Sequence, residues 1–317
     1  MRAFIFPGQG SQSVGMGRDL ADAYPEARAV FEEVDDALNQ SLFRLMTEGP
    51  DDQLNLTENT QPALMAVSVA VARVLEAQGK FNLADKAAYV AGHSLGEYSA
   101  LTAAGTFSLS DAARLLKTRG QAMQQAVPVG VGAMAAILGL DMADVQDIAA
   151  AAMAETGNGE VVAAANDNSP GQVVVSGHRA AVAAAIQLAT AKGAKRAIEL
   201  PVSAPFHCAL MGPAADVMRD ALAKTAMNGP SVPLIANVTA DVVTEPSRIR
   251  DLLVQQVTGT VRWRESVEKM AGLGVTEFVE LGAGKVLSGL SKRIAPDATA
   301  QSVGTPEQID ALLQTLA

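Results

Sequence analysis

The sequence predicts an α/β protein in which a parallel-sheet body is interrupted by a smaller βαββαβ unit. Three observations carry this. Short apolar strands alternate with helices at both ends of the chain; the stretch from residue 127 to 202 runs strand, helix, strand, strand, helix, strand; and the composition is 49% hydrophobic but only 4% aromatic. Such an interior must be packed from alanine and aliphatic side chains, which suits helices lying close on a sheet. At 317 residues the chain exceeds one ordinary compact core, so an insertion or a second unit is expected.

In order, Arg2–Phe6 is a buried strand stopped by Pro7-Gly8-Gln9-Gly10, with helices over residues 13–24 and 27–38. A long Ala/Val/Leu helix covers residues 60–78, and the apolar run 87–91 is a strand leading to a glycine-bounded turn and a helix over 97–104. A helix over 111–126 precedes the insertion. There, 132–140 is a strand, 142–155 a helix, 161–166 and 172–176 a hairpin across residues 168–171, 179–192 a helix and 197–202 the closing strand. This order is that of a ferredoxin-like split βαβ unit. The expected division is a body from residues 1–126 and 206–317 around a small subdomain at 127–205. After residue 233 the alternation resumes, with strands at 234–238 and 277–281 and helices at 249–257 and 263–273.

The formal net charge of -10 argues against general attraction to nucleic acid or anionic membranes. One cysteine, Cys208, allows no internal disulfide and no zinc cluster, so a reducing cytoplasmic compartment, no metal and no cofactor are expected. The apolar start is broken at once by Pro7-Gly8, so no signal peptide is expected, and the least polar long stretch, 126–140, is too short to span a bilayer.

Gly92-His93-Ser94-Leu95-Gly96 places a serine between a predicted strand and a predicted helix, the setting of a nucleophile elbow. A serine hydroxyl needs a base, and the candidates are His93, His178 and His207. His93 adjoins the serine, and neighbouring side chains on a sharp turn diverge, so it reads as support; His178 follows a hairpin strand and reads as a turn residue. His207 lies where the chain re-enters the body, and position favours it without deciding the matter. The Gly8-Gln9-Gly10 turn lacks the third glycine of a dinucleotide site, because Ser13 stands there. Gly284-Lys285 fails as a P-loop, with Val279 at the first glycine position and Val286 after the lysine. Taken alone, Arg119 reads as a helix-face cation pairing with solvent or Asp111.

Together, Phe6-Pro7-Gly8-Gln9-Gly10-Ser11-Gln12, Gly92-His93-Ser94-Leu95-Gly96-Glu97, Arg119-Gly120, Ala204-Pro205-Phe206-His207 and Val261-Arg262-Trp263 closely resemble the malonyl-CoA:acyl carrier protein transacylases over essentially the whole chain. The resemblance implies a hydrolase-like body with a ferredoxin-like insertion. It implies that Ser94 is acylated with malonyl, that His207 is its base, and that the backbone N–H groups of Gln9 and Leu95 hold the oxyanion. It further implies that Gln256 orients the base in place of an aspartate, that Arg119 clamps the malonyl carboxylate, and that Phe206 shapes a small acyl pocket. Arg119, Gln9, Leu95, Gln256 and Phe206 are thus the expected substrate-binding set, malonyl-CoA the substrate and an acyl carrier protein the partner. Such carriers are acidic, so docking needs a local basic face, expected from Lys192, Lys195, Arg196, Lys285, Lys292 and Arg293. The pattern departs at Thr260 and Ala283, both commonly proline. A serine thioesterase, or an inactive carrier-binding subunit, are the competing readings.

Overall fold

The computed structural model describes residues 1–157, 159–202 and 204–316; residues 158, 203 and 317, which fall within the expected segments, lie outside the described residues. Among the described residues ten strands form two sheets. The body holds β1 (Arg2–Phe6) and β2 (Tyr89–Gly92), and the insertion β3 (Gly132–Leu138), β4 (Val162–Ser169), β5 (Gln172–His178) and β6 (Arg196–Glu199). The chain then returns to the body with β7 (Leu234–Ala236), β8 (Asp241–Val243), β9 (Glu277–Leu281) and β10 (Thr299–Val303).

The body sheet has the order β10-β9-β1-β2-β7-β8 and is parallel except for β8, which hairpins back along β7. Central β1 is buried on both faces, as a parallel strand must be when helices cover both sides. Phe4 and Phe6 pack toward the helices Pro25–Leu38, Thr57–Gly79 and Leu109–Gln125, while Ala3 and Ile5 pack toward Trp263–Gly272 and Val286–Ile294. Helix Thr57–Gly79 is buried nearly all round, which explains its lack of a polar stripe.

The second sheet is antiparallel in the order β4-β5-β3-β6, the arrangement a split βαβ unit gives. Alternate residues divide its faces: Ala133, Ala135 and Ile137 pack with Val173 and Val175 under helices Met142–Thr156 and Arg179–Ala191, whereas Met134 and Val174 join the body core. The loop before Trp263 ties this sheet to the body. Val261 N–H donates to Ala165 (2.9 Å), Asp167 N–H to Val261 (3.0 Å) and Thr260 Oγ1 to Ala164 (2.7 Å), and Arg264 pairs with Asp167 at 2.9 Å. Thr260 thus anchors its loop by a hydrogen bond where a proline would have stiffened it.

Several elements differ from expectation. The helix expected from residue 13 begins only at Arg18, because Gly15 and Gly17 take positive φ (101° and 82°) and hold a turn. The hairpin strand runs on to Ser169, so the turn shrinks to Pro170-Gly171, and β6 ends at Glu199 rather than 202. Helices Gly212–Lys224, Val286–Ile294 and Pro306–Leu316 and strands β8 and β10 were not anticipated.

Candidate active site

Strand β2 ends at Gly92, and the chain folds back into helix Gly96–Ala103 within three residues. The turn is this tight because both flanking positions are glycine. A β-carbon on Gly92 would lie 1.9 Å from the Gly96 carbonyl, and one on Gly96 2.2 Å from the Phe6 carbonyl oxygen. Ser94 sits at the apex with φ 53°, a left-handed conformation that costs a non-glycine residue about 1 kcal/mol or more. Asn237, at the C-terminal end of β7, holds it there. Its Oδ1 accepts the Ser94 N–H at 2.8 Å, and its Nδ2 donates to the Gly92 carbonyl at 2.6 Å.

Of the three histidines only His207 reaches the serine: Nε2 lies 2.8 Å from Ser94 Oγ. Nδ1 lies 2.9 Å from the Gln256 carbonyl, which can only accept, so Nδ1 carries the proton and Nε2 is free to take the serine's. Burial, followed by the positive charge of Arg119, pushes the imidazole down to about 3, so it is neutral at physiological pH. His207 also has positive φ (58°), so both members of the pair are held in sparsely populated backbone conformations. His93 points the other way, donating from Nε2 to Asn168 Oδ1 (2.8 Å), and supports the elbow against β4. His178 closes β5, where its Nδ1 accepts the Val161 N–H at 2.9 Å.

Arg119 is not a solvated helix-face cation. It is 1% exposed, and Asp111 pairs with Arg114 instead. Its Nη1 donates to Gln61 Oε1 (2.8 Å), and its Nη2 to Gln256 Oε1 (2.9 Å) and Ser94 Oγ (3.1 Å). The guanidinium therefore lies against the nucleophile itself rather than across the pocket from it. Its Nε makes no hydrogen bond among the described residues, and the guanidinium carbon lies 5.7 Å from the centre of the Tyr98 ring.

These groups open on a cavity of about 640 Å³ walled by Gln9, Ser94, Leu95, Arg119, Phe206 and His207, with Met134, Asn166, Asn168 and Val174 contributed by the small sheet. Among the described residues neither the Gln9 nor the Leu95 N–H donates to a protein acceptor, which leaves both for an incoming oxygen. Gly8 brings the first turn against the elbow, since a β-carbon there would meet the His93 carbonyl oxygen at 2.7 Å. Gln256 is placed differently from the other four expected substrate contacts. It is fully buried and lies behind the wall, touching His207, Arg119 and Ser94 rather than the cavity. A second cavity, of about 480 Å³, is lined by Glu32, Glu33, Asp36, Ser110 and Arg114. The Ser110 hydroxyl donates to Glu33 Oε1 at 2.9 Å, and neither histidine nor cysteine lies on its wall.

Sequence reasoning gave no role to Gln61, Asn237 or Glu97. Asn237 had one available signal: it immediately follows a strand whose C-terminal end borders the elbow, where parallel sheets gather their ligands. Glu97, 1% exposed, accepts from Gln256 Nε2 (2.8 Å) and the Asn237 N–H (3.2 Å), and burial pushes its carboxyl up to about 7. Between its ordinary value of 4.5 and about 7 the folded protein keeps the proton that the unfolded chain has lost. Stability present below the lower value is therefore lost as the pH rises through the upper one. Relative to E97Q, which has no such titration, the wild type should lose roughly 3 kcal/mol across this window, measured by urea unfolding at a series of pH values.

A family model described as acyl transferase domain matches residues 3–308. The chain belongs to the acyl transferase domain family. Within that family it is 50% identical to the malonyl CoA-acyl carrier protein transacylase of Escherichia coli (strain K12) over 312 residues, 98% of each chain. It is 45% identical to the protein of the same name from Bacillus subtilis (strain 168), covering 99% of this chain and 96% of that one. Among solved structures it superimposes on the acyl-carrier-protein-S-malonyltransferase of Bartonella henselae with TM-score 0.96 at 56% identity, 99% of each chain being covered. It also matches, at TM-score 0.94 and 42% identity over 99% of each chain, a malonyl-transacylase solved in complex with its type II PKS acyl-carrier protein. This acyl transferase thus shares the mixed architecture of its relatives along its full length.

Proposed function

We propose that this acyl transferase moves a malonyl group from malonyl-CoA to the phosphopantetheine thiol of an acyl carrier protein, in service of fatty acid or polyketide chain extension. The carrying observation is that Ser94 Oγ stands within hydrogen-bond reach of a neutral imidazole at 2.8 Å and a buried guanidinium at 3.1 Å. A serine hydrolase needs the first of these; the second gives an acyl group with its own negative charge a cation to meet.

His207 Nε2 takes the Ser94 proton as Oγ attacks the thioester carbonyl. The developing oxyanion is held by the Gln9 and Leu95 N–H groups, and the imidazolium then protonates the departing coenzyme A sulfur. The carrier's thiol repeats the steps in reverse on malonyl-Ser94, so the kinetics are ping-pong and no cofactor takes part. Arg119 receives the malonyl carboxylate, which takes over the N–H now directed at Ser94 Oγ and uses the unpartnered Nε. Neutralising that guanidinium also removes the second cause of the depressed imidazole value, so the base strengthens once a carboxylated acyl group is seated. On this reading residues 1–126 and 206–317 form the catalytic body, and residues 127–205 are an inserted unit that supplies the far side of the cavity. A buried free Cys208 and no helix, among the described residues, long and apolar enough to cross a membrane support a cytoplasmic setting.

The test is mass spectrometry of enzyme mixed with malonyl-CoA alone. An added malonyl group on Ser94 that discharges to carrier protein is expected; free malonate without transfer indicates a hydrolase, and unmodified Ser94 with no coenzyme A released indicates an inert binder.

The carrier's docking face is assigned to Lys195, Arg196, Lys285, Lys292 and Arg293, all exposed and without ion pairs among the described residues. Lys192 is tied to Asp144 at 2.6 Å and contributes less. Two chain connections run from this face toward the cavity: Arg196 opens β6, which leads into the lining residues Leu200, Pro201 and Val202, and Lys285 follows Gly284, which packs against Ser11 beside the first turn. Lys292 and Arg293 lie farther off, in the last turn of helix Val286–Ile294. Charge reversal at Lys195, Arg196 and Lys285 together should raise the carrier KM about tenfold at low salt and leave Ser94 acylation by malonyl-CoA unchanged.

A further inference from the structure

Behind the cavity, one side-chain amide stands between the guanidinium and the nucleophile's backbone. Gln256 Nε2 faces three oxygens: Glu97 Oε2 at 2.8 Å, the Ser94 carbonyl at 2.9 Å and Asn237 Oδ1 at 3.3 Å. Among the described residues its Oε1 faces only Arg119 Nη2, at 2.9 Å. A flipped amide would set an NH2 group against the guanidinium and an oxygen against three acceptors, so the two ends are not interchangeable. Of the three oxygens, the Glu97 carboxyl is the nearest. It also accepts the Asn237 backbone N–H through the same atom, whereas the Asn237 side chain makes its own bonds to Ser94 N–H and the Gly92 carbonyl without Glu97.

Glu97 lies in the first turn of helix Gly96–Ala103, where an acid would ordinarily serve the helix end. Here both of its hydrogen bonds leave the helix, and the side chain is buried without an ion-pair partner at contact distance among the described residues. A buried carboxyl is costly, so this placement needs a compensating gain. Glu97 touches neither the cavity nor any reacting atom.

We propose that Glu97 is a positioning residue for acyl recognition: through the Gln256 amide it fixes the hydrogen-bond acceptor that aims Arg119, and so sets where the guanidinium meets the acyl carboxylate. This rests on the reading of Ser94 and Arg119 given above. The backbone carbonyl of Gln256, which holds His207, does not depend on the amide's orientation, so the nucleophile and base remain paired when Glu97 is changed.

The experiment compares wild type, E97A, E97D and E97Q by steady-state kinetics with malonyl-CoA and by the rate at which a neutral dialkyl fluorophosphate labels Ser94. The fluorophosphate needs the nucleophile and base but has no carboxylate. E97A should raise the KM for malonyl-CoA about tenfold or more with a smaller change in kcat, while fluorophosphate labelling stays within about twofold of wild type. E97D keeps the acid but withdraws it from Gln256 by one methylene, and should behave as E97A does; it carries the test if E97A does not fold. E97Q retains a carbonyl oxygen for Gln256 and Asn237 and should return KM to within about threefold of wild type. Equal losses toward malonyl-CoA and the fluorophosphate, or a KM unmoved in both E97A and E97D, would overturn the proposal while leaving Ser94 and Arg119 in place. Failure of wild-type Ser94 to be acylated by malonyl-CoA would overturn the underlying reading as well.

Discussion

Replacing Arg119 by alanine should lower kcat/KM for malonyl-CoA by about 10²- to 10⁴-fold, because a carboxylate would then be buried beside Ser94 with no cation to meet it. Breaking one side of a buried ion pair costs about 3–5 kcal/mol, and that cost falls on every carboxylated acyl group. A neutral acetyl thioester bears no such penalty. It loses only the N–H that Arg119 Nη2 donates to Ser94 Oγ at 3.1 Å, so its already low rate should fall by about tenfold at most. Lysine at the same position keeps a charge but not the fork that spans Gln61 and Gln256, and should recover less than half of the lost free energy. The comparison is made by measuring coenzyme A release from malonyl-CoA and acetyl-CoA side by side. Equal losses toward both thioesters would mean that Arg119 serves the nucleophile's geometry, and the proposed acyl preference would have to be sought elsewhere, at Phe206 or at Met123, which also lines the cavity.

The chemistry of the site was legible wherever a short local pattern forces it. Gly92 and Gly96 announce the elbow because backbone lies within 2.2 Å of where their side chains would be, and Ser94 between them is the residue presented. Arg119 could not be read this way. Its helix shows a surface-like pattern of charges, and nothing local reveals that this one cation turns inward; only the resemblance to a family singled it out. Asn237 and Gln61 lie in segments far from the serine along the chain, and Glu97, though it closes the Gly92–Glu97 pattern, has its partners outside that pattern; their roles exist only once β7 lies beside β2 and helix Thr57–Gly79 brings Gln61 to Arg119. The fold was legible to a similar extent. The central strands β1 and β2 carry unbroken apolar runs, Ala3 to Phe6 and Val90 to Ala91, and announce themselves, but β10, at the sheet edge, carries Thr299, Gln301 and Ser302 and reads as loop. Helix Gly212–Lys224 has glycine and proline at its start, and these read as breakers rather than as the first helical positions they occupy.

His207→Ala should reduce Ser94 acylation by roughly 10⁴-fold, since the only group that takes the serine's proton at 2.8 Å is gone. The remaining activity would still exceed the reaction in water, because the Gln9 and Leu95 N–H groups and the Arg119 contact are untouched. The pH dependence separates this loss from simple misfolding. In wild type the imidazole is held down to about 3, so it is unprotonated throughout the range in which an exposed histidine titrates. The base is lost only as the pH falls toward that value, and kcat/KM, which reports the free enzyme, should be flat between about pH 5 and 8. The measurement is best made in E97Q, so that Glu97, whose value lies near 7, does not add a limb of its own. In the alanine variant hydroxide must replace the imidazole, and the rate should climb about tenfold per pH unit over the same range. An acid limb centred near 6.5 in E97Q would show an imidazole open to solvent, and the closed geometry that joins His207, Arg119 and Gln256 behind Ser94 would then not be the arrangement that reacts.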